Sequence, residues 1–129
     1  MTIQFECKSG ACFKSEHMWD YAMFDGCFGS TNIRPMDVDG LIERNGHGLF
    51  IETKGVDVSF IPTGQMRTLE WMAVGLNQTV LVMYGKPNKP ERAFALYPGG
   101  RKIDFGETTV DDMRRFVSNW YAWADRGGK

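Results

Sequence analysis

Short apolar runs of strand length extend from Met36 to Glu43, following Pro35, and again from Leu49 to Lys54. Between them Asn45-Gly46 is a strong two-residue hairpin signal. Pro62-Thr63-Gly64 then opens a helix with Thr63 as its cap. It spans Gln65 to about Leu76, because Met66, Leu69, Met72, Ala73 and Leu76 recur at helical spacing. The unbroken apolar run Thr79–Tyr84 (TVLVMY) suits a buried strand. Gly85–Glu91 reads as a loop containing Pro and Lys, Ala93–Tyr97 as a further strand, and Pro98-Gly99-Gly100 as a turn. A last helix starts at the capping-box-like pair Thr109 and Asp112 and runs to about Ala124. Its inward side carries Met113, Phe116, Val117, Trp120 and Trp123 or Ala124. Ahead of the hairpin, Ile3 and Phe5 alternate with polar neighbours as in a small strand. Ser15 caps a helix expected to reach about Phe24, with Met18, Ala22 and Tyr21 inward and Glu16 in the first turn.

This order of helix, hairpin, helix, strand, strand, helix predicts an α/β fold, a mixed central sheet flanked by helices on both faces. A length of 129 residues matches a single domain over 1–129 with one core, and the 43% apolar content argues against disorder. No apolar run approaches the roughly 18 residues of a membrane span. The start of the chain lacks the basic-then-apolar order of a signal peptide. Three cysteines, Cys7, Cys12 and Cys27, do not make a secreted disulfide framework. A cytoplasmic chain with no membrane partner is the expectation.

A net charge of −1 removes the simplest argument for a nucleic-acid partner, but it averages two unlike halves. Residues 1–64 carry five basic and nine acidic side chains, a net of −4; residues 65–129 carry ten and seven, a net of +3.

The acidic half contains the informative segment. A two-residue turn at Asn45-Gly46 pairs Arg44 with His47, Glu43 with Gly48, Ile42 with Leu49, Leu41 with Phe50 and, further out, Asp39 with Glu52. Opposite residues share a sheet face with Cβ atoms about 5 Å apart. Strand periodicity adds Lys54 and Asp37 to that face. Moving the turn by one residue pairs Asp39 with Lys54 instead, whereas a three-residue turn breaks the arrangement. Both strands carry apolar residues on both faces, so they are expected to be central and their charges half buried. Two carboxylates so placed repel unless something compensates. Lys54 offsets one charge; a divalent cation offsets both, and oxygen ligands completed by water and phosphate suit Mg²⁺. The alternative is a structural ladder of ion pairs.

Asp39 followed by Phe50-Ile51-Glu52-Thr53-Lys54 resembles the PD-(D/E)XK phosphodiesterase motif, found in restriction enzymes and Holliday junction resolvases. Gly64-Gln65 resembles the Gln motif of resolvase-like and virus-type replication-repair nuclease members. The likeness covers roughly residues 15–85. It departs from the pattern in that Pro35 does not directly precede Asp39, which keeps Asp37 as a second candidate. The resemblance implies a restriction-endonuclease-like core (helix, three strands, helix, strand; αβββαβ) with an added strand and C-terminal helix. It implies a Mg²⁺- or Mn²⁺-dependent nuclease acting on DNA, with RNA left open, in the cytoplasm of a bacterial or phage-infected cell. Asp39, Glu52 and the Thr53 carbonyl would be metal ligands, Lys54 the catalytic lysine, and Gln65 would orient water or phosphate. Glu16 resembles the extra helix carboxylate of resolvase-like members; otherwise it is a surface acid. A homodimer, as in resolvases, follows by analogy. Because the superfamily also contains inactive members, the competing reading is a nuclease-like module that binds nucleic acid or a partner protein without cleaving.

Lys86, Lys89, Arg92, Arg101 and Lys102 against Glu91 give +4 between residues 86 and 102, a candidate phosphate-contacting region that Arg114 and Arg115 could extend. The alternative is a solvated loop. Cys7, Cys12 and His17 lack a usual zinc spacing and read as buried thiols sooner than as a zinc site completed by Cys27. His47 reads as an exposed turn residue. Trp120, Tyr121 and Trp123 read as core or a dimer surface sooner than as base-stacking platforms.

Overall fold

The computed structural model describes residues 19–129. The chain divides into two compact units, residues 1–36 and 37–129. In the first, the described part contains one 3₁₀ turn, Ala22–Phe24, preceded by Tyr21 in the left-handed region and held by the Asp20 carboxylate accepting from the Ala22 amide. The expected helix therefore does not run through residues 19–24, and Tyr21 and Ala22 are exposed, not inward. Ser15, Glu16, Met18 and the expected strand around Ile3 and Phe5 lie outside the described residues.

The second unit is an α/β layer structure. Its elements are β1 (Gly40–Arg44), β2 (His47–Lys54), α1 (Thr63–Val74), β3 (Thr79–Lys86), β4 (Lys89–Leu96), β5 (Lys102–Glu107) and α2 (Val110–Asp125). The five strands form one mixed sheet in sequence order; β2 and β3 are parallel, joined through α1, and the other neighbours are antiparallel. Asn45 and Gly46 both take positive φ (52° and 81°), the conformation of the turn that matches strand twist. The expected register follows from that turn: Arg44 opposite His47, Ile42 opposite Leu49, Leu41 opposite Phe50.

Alternation along β2 and β3 builds the two faces. Leu49, Leu81, Ala93 and Ala95 join Met113, Trp120 and Ala124 of α2 in one buried cluster. Val80 and Val82 occupy the alternate positions on the other face, and α1 packs there against β3 and β4 through Leu69, Met72 and Ala73. Val80, Leu81 and Val82 have no solvent exposure, as a strand covered on both sides requires. The Thr109 side chain accepts from the Asp112 amide and starts α2 as expected. At the other end of α2, Asn45 donates to the carbonyls of Ala124 and Asp125, adding to the Gly127 amide that the Ala124 carbonyl also accepts.

Several expectations need correction. The strand expected from Met36 begins only at Gly40, so Asp37 and Asp39 precede it. β1 is an edge strand and not central; Leu41 is 57% exposed. His47 is half-buried against Trp123, with ring centroids 4.6 Å apart. Thr63 is the first residue of α1, and the preceding Pro62 offers no side-chain cap. Gly85–Glu91 is not a loop: β3 and β4 form a hairpin turning at Pro87-Asn88, with a register shift between Tyr84 and Gly85. A Cβ at Gly85 would collide with the Lys89 carbonyl and Pro90, so the shift depends on glycine there. β5 is an additional strand, with Ile103 and Phe105 half-buried on either side of the exposed Asp104. Among the described residues two strands, not three, precede α1.

Candidate metal and phosphodiester site

The end of β2 carries a closed ring of polar contacts on the α1 face. Glu52 is 6% exposed, although it lies next to the end of its strand. After the connection 55–62, the first turn of α1 brings Gln65 over it. Gln65 Nε2 donates to Glu52 Oε1 at 2.9 Å, and Lys54 Nζ donates to Gln65 Oε1 at 2.6 Å. Lys54 Nζ lies 3.3 Å from Glu52 Oε1, which closes the ring. Each member thereby has a charged or polar partner in a place where water is largely excluded.

Asp39 sits one step beyond the last β1–β2 pair, Gly40 with Ile51. Its Oδ2 accepts from the Thr53 amide (2.8 Å) and from Thr53 Oγ1 (3.1 Å). These bonds replace the strand pairing that β1 no longer supplies. A residue's N–H and C=O point to the same side of a strand, as in pairs that exchange both bonds. The Thr53 carbonyl is thus on the side that Asp39 occupies.

The Glu52 carboxyl is held above the usual glutamate range. Burial is the main cause and the negative charge of Asp39 adds to it; the Lys54 ammonium and the Gln65 amide pull in the opposite direction without cancelling them. A carboxylate that resists ionising, beside a second carboxylate, is a place where added positive charge is favourable.

The groups here that could hold a cation carry hard oxygens: Asp39, Glu52 and the Thr53 carbonyl. No group of three His, Cys, Asp or Glu side chains that could hold a metal occurs among the described residues. Two carboxylates and a carbonyl do fit a Mg²⁺ site completed by water and phosphate, since Mg²⁺ is commonly held by only one or two carboxylates.

The proposed residues do not all converge. Asp37 is exposed in the segment before β1. Glu16, Cys7, Cys12 and His17 lie outside the described residues, and Cys27 is an exposed free thiol. Lys86 and Lys89 pair across the β3–β4 turn, at the sheet end where Lys54 pairs with Tyr84. Arg92 stacks 3.9 Å over the Tyr84 ring and donates to the Val58 carbonyl, which ties down the 55–62 connection. Lys102 pairs with Leu96, at the far end of β4 from Lys89, about 20 Å away at strand spacing. Arg101 and Lys102 lie over Tyr97 and Phe94. The expected basic patch is therefore divided between opposite ends of the sheet. The anchoring of Asp39 by Thr53 was missed from sequence; its only signal was the hairpin register, which puts residue 39 beside residues 52 and 53.

No family model matches the chain, and neither a curated protein nor a solved structure matches it.

Proposed function

We propose that the chain is a Mg²⁺- or Mn²⁺-dependent nuclease that hydrolyses DNA phosphodiester bonds, on a restriction-endonuclease-like core. The observation that carries this reading is the buried Glu52 carboxylate, ringed by Lys54 and Gln65 with Asp39 adding negative charge from the hairpin end. The order β1-β2-α1-β3, with β2 and β3 parallel, supports it, because it resembles the later part of the expected core.

Asp39, Glu52 and the Thr53 carbonyl would hold the metal. When bound, the metal would supply Lewis acidity and an acidified water. Lys54 would put its ammonium beside the phosphate oxygen that gains charge. Gln65 would turn its amide to orient a water or a phosphate oxygen. Wild-type protein should cleave DNA with Mg²⁺ and not with EDTA, and Glu52→Gln should cleave none. Failure of the wild type to cleave single-stranded, duplex or branched DNA with either Mg²⁺ or Mn²⁺ would overturn the proposal.

A second reading is a non-catalytic module that binds nucleic acid or a partner protein. It is favoured by the closure of the ring upon itself: Glu52 Oε1 is already satisfied by two donors. Oligonucleotide binding with neither cleavage nor metal binding would select it.

A further inference from the structure

The ends of β2 and β3, the β3–β4 turn and one side of α2 enclose a groove of about 750 Å³. Ile51, Met83 and Val117, each half-buried, make its floor apolar, above the buried Leu81 and Met113. Lys86, Lys89 and Arg114 stand around it, and no carboxylate is among its described lining residues. Lys86 and Lys89 are direct cross-strand partners. Like charges placed opposite each other destabilise a hairpin, and an anion between them would remove that cost.

We propose that this groove holds an unpaired nucleic-acid strand, so that the substrate is single-stranded or carries a single-stranded end. The inference rests on the nuclease reading and names its substrate form. A duplex turns its phosphates outward and hides its base faces, leaving an apolar floor without a partner. An unpaired strand offers phosphates to the cations and base faces to the floor. Met83 suits such a floor because a methionine side chain adapts to any base. The groove also reaches the end of β2 that carries the proposed site: Thr53, which anchors Asp39, lines it, as does Lys54, whose ammonium is held by Glu52 and Gln65 on the other face of the strand.

The test is fluorescence anisotropy in EDTA with a labelled 12-nucleotide DNA, single-stranded or as a blunt duplex, on the full chain and on Arg114→Glu. Circular dichroism and Mn²⁺ calorimetry serve as controls for folding and for the metal site. The single strand should bind about tenfold tighter than the duplex, with affinity falling as salt rises. Arg114→Glu should lose about tenfold and lower the salt slope by at least about one, with Mn²⁺ binding unchanged. Equal or tighter duplex binding, or unchanged single-strand affinity in Arg114→Glu, would overturn the groove assignment. Tighter binding of phosphatidylglycerol vesicles than of the oligonucleotide would overturn it as well. Mg²⁺-dependent cleavage of duplex that ignores Arg114→Glu would overturn the groove alone. Strand binding with the expected Arg114 dependence but no cleavage would uphold the groove and overturn the nuclease reading alone.

Discussion

β2 presents two unlike faces from a single run of residues. Toward α2 it offers Leu49 and Ile51, packed into a cluster with Leu81, Met113 and Trp120. Toward α1 it offers Glu52 and Lys54, closed into a ring by Gln65. The first face is what a strand needs for stability. The second keeps a buried carboxylate above its usual range with another carboxylate nearby, a situation that lowers stability. A fold that required only packing would gain from apolar residues at positions 52 and 54. Along β2, then, the α2-facing side chains supply packing, while the α1-facing Glu52 and Lys54 are held together at a cost in stability.

If that division is right, substitutions on the two faces fail differently. Lys54→Ala should reduce DNA cleavage by about a hundredfold to a thousandfold, while calorimetry still detects metal binding; loss of folding instead would make the ring a structural ladder. Leu81→Ala, on the α2 face, should cost about 2–5 kcal/mol in denaturant unfolding, with metal affinity unchanged while the protein stays folded.

Glu52→Gln sharpens the comparison through pH. Because the folded-state carboxyl titrates above its ordinary value, the stabilising preference for its protonated form is complete below about pH 4 and is lost as pH rises through the raised value. The variant has no such titration. Its stability relative to wild type should therefore move in its favour as pH rises from about 4 through the raised value, read from thermal melts. A difference that does not change with pH would mean that burial does not strain Glu52. The smallest effect is expected at the α2 cap: Thr109→Ala should cost about 1 kcal/mol in the same unfolding measurement and leave cleavage unchanged.

Where local chemistry decided the structure, the sequence was legible. Asn45-Gly46 carries the positive φ its turn requires, and the β1–β2 register follows from it. The TVLVMY run and the α2 apolar stripe became a doubly covered strand and a packed helix face. The β3–β4 hairpin was hidden because Pro87-Asn88 is not a typical hairpin pair and the shift at Gly85 breaks the alternation. β5 had a visible signal in Ile103 and Phe105, but six residues flanked by glycines and charges resemble a loop. That β1 lies at the edge depends on the order of the whole sheet, which periodicity within the hairpin does not encode. In the site, the nearness of Asp39 to Glu52 followed from register. The bonds of Gln65 to both Glu52 and Lys54 depend on where α1 lies across the sheet, and the division of the basic residues depends on a hairpin the sequence reading lacked.

The central claim is that Asp39 and Glu52 form a cation site. Titration calorimetry of Mn²⁺ into wild type, Asp39→Asn and Glu52→Gln, with folding checked by circular dichroism, tests it most directly. Wild type should bind Mn²⁺, and both folded variants should lose that binding. Folded wild type that binds no Mn²⁺, or variants that bind it equally well, would contradict it.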